Sequence, residues 1–228
     1  MLLRSCAPVV LLALSGGTPR PVCMLASREP QLGEVQAVEA EAEAADSSLG
    51  RAVLFRANAA TKWVVTAAQT GAVVSRRDLV APYIVIGSIL AAFGTKRLKK
   101  IINQQRPTGS PFTDPGMPSS HALVATFAAT AWALHLRHAP LLSPLVLMGS
   151  AALVSWMRVA TGYHSWPQVS VGAVLGAGGA AAWMAAGAML VARNALSPRT
   201  AAAVIYTTYI GGSVAFVSQK MRTWSADY

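Results

Sequence analysis

GMPSSH, Gly116 to His121, interrupts a chain made mostly of Ala, Val, Leu and Gly. It stands at the mouth of an apolar run and is preceded by turn chemistry, Asp114-Pro115-Gly116. Pro118 stops a helix from running backward, and Ser119 or Ser120 is suited to cap one running forward. The first turn of that helix presents free N–H groups, which attract an anion. His121 is held beside them. This stretch therefore marks the start of a helix and raises the question of what surrounds it.

Only 12% of the 228 residues are charged and 54% are hydrophobic. Soluble domains carry roughly 25% charge, so the composition predicts an integral membrane protein. Six apolar segments follow: Ala57–Val74, Leu79–Thr95, His121–Leu136, Leu141–Met157, Val169–Val191 and Thr200–Val217. The expected fold is all-α, a six-helix transmembrane bundle with short loops forming a site on one membrane face. Gly172-x-x-x-Gly176 is suited to close approach of two helix backbones.

Helices that alternate in direction bring three polar stretches to one face. KRLKKIINQQRP, Lys96 to Pro107, follows the second helix. GMPSSH opens the third. SWMRVATGYHSWPQV, Ser155 to Val169, links the fourth to the fifth. Together they gather Lys96, Arg97, Lys99, Lys100, Arg106, His121, Arg158 and His164, with Asp114 the one carboxylate. Cations clustered near membrane depth are costly unless an anion joins them. Phosphate suits them, because Arg offers paired hydrogen bonds and Lys a point charge. Asp114 is read chiefly as a turn residue. His135 and His138, at the far end of the third helix, read as interfacial. Trp63, Trp132, Trp156, Trp166 and Trp183 read as packing or interface anchors.

Ahead of the bundle, residues 1–28 contain no acid and carry Arg4, Arg20 and Arg28. They predict a targeting segment, a signal peptide or a plastid transit peptide. Residues 29–50 hold six of the nine acids and predict an acidic, solvated linker; 51–228 form the membrane domain. The net charge is +10. No aromatic-basic interleaving or reader motif accompanies it, so nucleic acid is not an expected partner. Cys6 and Cys23 lie in the targeting segment, leaving the bundle without a thiolate metal site.

Three spaced motifs resemble the type 2 phosphatidic acid phosphatase family, related in its active site to vanadium haloperoxidases. Lys99, six residues and Arg106-Pro107 match the first. Pro118-Ser119-Ser120-His121 matches Pro-Ser-Gly-His, with Ser120 in the glycine slot. Arg158, five residues and His164 match the third, in which Met157 replaces the usual Ser and Gln168 the usual Asp. The resemblance implies a metal-independent, cofactor-free phosphatase. His164 would be the nucleophile and His121 the proton donor to the leaving group. Gln168 would orient His164, while Lys99, Arg106, Ser119, Ser120 and Arg158 would bind phosphate. Ser120 requires a negative φ to serve where glycine usually stands. The motif forms resemble two branches, the plastid lipid phosphate phosphatases and the dolichyl diphosphatases. The expected activity is on phosphatidate in a plastid membrane. The alternatives are a polyprenyl diphosphatase of the endoplasmic reticulum and a non-catalytic protein that binds lipid phosphates. Arg76, Arg77, Arg137, Arg193 and Arg199 favour the face opposite the site as the inside.

Overall fold

A computed structural model describes the backbone of residues 32–138, 140 and 142–224, and side chains from 48 to 219 except 139, 141 and 142. The expected targeting segment and both cysteines lie outside the described residues. The chain divides into two units, Met1–Ala44 and Ala45–Tyr228. In the first, the described residues are helical from Leu32.

Among the described residues the structure is all-helical. The order is α1 (Leu32–Arg76), α2 (Val80–Ile102), α3 (Ser120–His135), α4 (Leu142–Ala160), α5 (Trp166–Ala192) and α6 (Pro198–Trp224). From Leu32 onward, the tract expected as a linker belongs to α1. Ala and Glu dominate it, and both are strong helix formers even where they bury nothing. Among the described residues, three helices are long and apolar enough to cross a membrane: Ser143–Ala160 in α4, all of α5, and Pro198–Gln219 in α6. The others differ for visible reasons. α3 has 16 residues, α2 ends on the basic run KRLKKII, and α1 carries its charged N-terminal tract.

α3 is the hub, packed against α5, α4 and α2. Ala122, Leu123, Thr126, Phe127, Ala128, Ala129, Ala131 and Trp132 are all buried. A short helix buried on several sides is apolar nearly all round. Small residues make that close approach possible. A Cβ on Gly172 would stand 2.8 Å from the Ser119 carbonyl oxygen, and one on Gly176 would stand 2.3 Å from that of Leu123. Both obstacles are backbone, so neither can rotate away. Gly176→Ala is therefore expected to destabilise the bundle by about 1–3 kcal/mol, the usual cost of overpacking. A thermal melt in detergent checks this; an unchanged midpoint would mean that α3 and α5 can separate freely.

α2 is tied to α5 by a reciprocal pair. Tyr83 Oη donates to the Trp183 carbonyl at 2.8 Å and Trp183 Nε1 donates to the Tyr83 carbonyl at 3.0 Å, with the rings stacked at 4.5 Å. Trp183 thus packs, whereas Trp63, Trp156 and Trp166 are about half exposed. At the far end of α3, His135 meets Arg76 and Asp78, away from the cations gathered at the other end.

Candidate active site

Four helix ends build one pocket. Lys99 lies in the last turn of α2, with the basic end favoured by the helix dipole. Ser119 precedes α3, and Ser120 and His121 are its first two residues. Arg158 lies in the last turn of α4. His164 sits in the turn before α5, and Gln168 lies in the first turn of that helix. Arg106 belongs to the loop between α2 and α3.

Arg106 joins that loop to the third stretch. Its Nη1 donates to the Tyr163 carbonyl at 2.9 Å and lies 3.3 Å from His164 Nε2. A guanidinium only donates, so Nε2 carries the lone pair. On the other side of the ring, His164 Nδ1 lies 3.2 Å from Gln168 Oε1. That oxygen only accepts, so Nδ1 carries the proton. The two neighbours select the tautomer with Nε2 free. Burial, then the positive charges of Arg106 and Arg158, push the imidazole down to about 3 against the Gln168 hydrogen bond, which raises it. The ring is neutral near pH 7.

Gln168 binds all three stretches. Its Nε2 donates to the Gln105 carbonyl at 2.7 Å and to Gln104 Oε1 at 3.3 Å. Its Oε1 also accepts from the Ser165 N–H at 3.2 Å, an N-capping contact of α5. Its own carbonyl accepts from the Ser119 N–H at 3.0 Å. Gly116 makes room for it, since a Cβ there would stand 2.5 Å from Gln168 Nε2.

Two donors in the pocket have no hydrogen-bond partner among the described residues: Ser119 Oγ and Arg158 Nε, both buried. Ser119 occupies the N-cap position of α3, yet its hydroxyl makes no capping bond. Orphaned buried donors cost about 1–3 kcal/mol each, so each is suited to donate to a ligand acceptor. Ser120 has helical backbone; among the described residues, the non-glycine residues with positive φ are Arg77, Asn103 and Asn194. The condition for serine in the glycine slot is met.

Asp114 does more than turn the chain: it pairs with both Lys99 and Arg106. Asn58 of α1 was also not foreseen. It is 2% exposed and accepts from Arg158 Nη1 at 3.2 Å. A lone Asn in an apolar segment gives no spacing signal; a buried amide on a membrane helix was the only hint available. Met157, at the position of the family's Ser, is buried and its carbonyl accepts from Thr161. Among the described residues, no group of three or more His, Cys, Asp or Glu could hold a metal ion.

The family model of the PAP2 superfamily matches residues 81–192. Lipid phosphate phosphatase epsilon 2, chloroplastic, of Arabidopsis thaliana is 28% identical over 188 residues, covering 79% of this chain and 65% of that protein. Lipid phosphate phosphatase epsilon 1, chloroplastic, of the same plant is 36% identical over 126 residues, covering 52% of this chain and 45% of that protein. The chain thus spans less than two-thirds of these curated relatives. No solved structure matches it. The segment that matches the PAP2 superfamily model contains every pocket residue named above except Asn58.

Proposed function

We propose that the chain is an integral-membrane phosphatase that hydrolyses phosphatidate-type phosphomonoesters through a phosphohistidine, without a metal, in a plastid membrane. The observation that carries this is the His164 ring. It is buried and neutral, with its Nε2 lone pair among Arg106, Arg158 and Lys99 and its Nδ1–H directed at Gln168.

His164 Nε2 attacks phosphorus in line, and the N–P bond forms as the ester P–O bond breaks. His121 gives its proton to the departing alkoxide, which leaves as the lipid alcohol. Neutral His121 then takes a proton from water as that water attacks the phosphohistidine. Inorganic phosphate departs and His164 is restored. Throughout, Lys99, Arg106 and Arg158 offset the charge on the nonbridging oxygens, with Ser119 Oγ and the α3 N-terminus donating hydrogen bonds.

A lipid substrate is supported by an apolar groove of about 520 Å³ lined by α2, α3 and α5. It runs along α2 from Leu98, next to Lys99, to Gly87, about 16 Å at the helical rise of 1.5 Å per residue. An acyl chain laid there would bring its headgroup to the cations. Both chloroplastic relatives are named as lipid phosphate phosphatases, which supports the substrate class and the compartment.

The deciding experiment measures phosphate release by the purified chain in detergent with EDTA present. It compares phosphatidate with a polyprenyl diphosphate. Release from phosphatidate that vanadate inhibits competitively is expected. Faster turnover of the diphosphate would move the assignment to a prenyl diphosphatase, and binding without turnover would leave only a lipid-phosphate receptor.

A further inference from the structure

A side chain of the protein itself stands on two of the pocket's cations. Lys99 Nζ donates to Asp114 Oδ2 at 2.7 Å, and Arg106 Nη2 donates to Asp114 Oδ1 at 2.7 Å. Arg106 Nε adds a bond to the Asp114 backbone carbonyl at 3.0 Å. The cations are fixed and dry, with side chains 10% and 7% exposed, while the carboxylate is 51% exposed. One anion on a surface loop thus reaches in to bridge two buried cations from separate elements.

These are the N–H groups that a phosphate's nonbridging oxygens need. A carboxylate and a phosphate's nonbridging oxygens compete for them, because both are negatively charged acceptors. The charge count agrees. Lys99, Arg106 and Arg158 sum to three positive charges, and Asp114 leaves two while the pocket is empty. Arg106 keeps another anchor through Nη1 on the Tyr163 carbonyl, so its placement does not depend on Asp114 alone. The half-exposed carboxylate can swing into water as a phosphate takes its place, so the two buried cations are not left unpaired.

Resting on the reading of this pocket as a phosphate site, we propose that Asp114 is a resident counter-anion. Its carboxylate occupies Lys99 and Arg106 between turnovers, yields them to the substrate's phosphate, and reclaims them as inorganic phosphate leaves. It thereby sets the affinity for phosphoryl anions and limits retention of product, the step that governs turnover in many enzymes. A carboxylate serving only to position the cations would have the opposite effect on affinity, because its removal would weaken anion binding.

The sign of the change is therefore the test. Calorimetric titration of the purified full chain in detergent with orthovanadate, and separately with inorganic phosphate, needs no turnover. Asp114→Asn is expected to bind both anions about tenfold more tightly than wild type. Phosphate is expected to inhibit its hydrolysis at correspondingly lower concentration. Asp114→Glu, which keeps the charge, is expected to remain within about threefold of wild type; equal tightening in both variants would overturn the proposal. Asp114→Ser removes the same charge from the exposed loop and serves where the asparagine variant is poorly folded. Unchanged or weaker binding in the neutral variant overturns the proposal while leaving a wild-type phosphatase intact. A wild-type protein that neither binds vanadate nor hydrolyses substrate removes the phosphate-site reading itself, and this proposal with it.

Discussion

His164→Ala is expected to lower phosphatidate turnover by about 10⁴-fold or more, whatever the leaving group, while His121→Ala loses about 10²–10⁴-fold on the lipid alone. The asymmetry follows from the two proposed roles. On that mechanism His164 supplies the bond to phosphorus through the Nε2 that faces Arg106. His121, the second residue of α3, would supply a proton to an alkoxide. A p-nitrophenyl ester departs as a stabilised phenolate and does not need that proton. Most of the His121→Ala deficit should therefore disappear on p-nitrophenyl phosphate, and none of the His164→Ala deficit should. Equal recovery of the two variants would mean that the roles are assigned wrongly. Undiminished activity in either would remove that histidine from the chemistry. A melting curve for each variant separates chemical loss from unfolding, which matters most for buried His164.

The sequence was most informative where spacing and helix direction sufficed. Six apolar segments, their alternation, and the positions of Lys99, Arg106, His121, Arg158 and His164 place these residues at one end of the bundle before any coordinates. Gly172 and Gly176 were legible for the same reason: small residues one turn apart imply a close neighbour, and α3 is that neighbour. The pairings were not legible. Asp114 sits in a turn-forming tripeptide, and nothing in Asp-Pro-Gly says that the loop folds back to two buried cations. Asn58 lies 100 residues from its partner Arg158, and such a contact is set by how α1 stands beside α4. Ser119 looked like a helix cap by residue type, yet its hydroxyl makes no capping bond. The helix from Leu32 reflects the helix propensity of Ala and Glu, which low hydrophobicity does not reveal.

Gln168 shows how a departure from a family pattern is explained by its surroundings, and the explanation can be tested. At 2% exposure its amide has four partners: His164 and Ser165 on the oxygen, Gln104 and Gln105 on the nitrogen. An aspartate, the family's usual residue, could serve the first pair only. A carboxylate has no N–H to give, so it would face the Gln105 carbonyl and Gln104 Oε1 acceptor to acceptor. Restoring the acid should therefore harm this protein. Gln168→Ala is expected to lower kcat by about 10²–10⁴-fold, because His164 loses the partner that fixes its tautomer and the 104–105 loop loses its tie. Gln168→Glu is expected to keep the Nδ1 contact and to show a new pH dependence. Attack requires an unprotonated Nε2, and in the wild type burial and the charges of Arg106 and Arg158 hold the ring down to about 3. A carboxylate beside it favours the imidazolium and raises that pKa. Activity of the glutamate variant should then fall as pH drops through the raised pKa, over a range where the wild-type ring stays neutral. Profiles of kcat/KM between pH 5 and 8 decide the matter. A glutamate variant with the wild-type profile and rate would mean that neither the neutrality nor the two N–H bonds of Gln168 matter to the nucleophile.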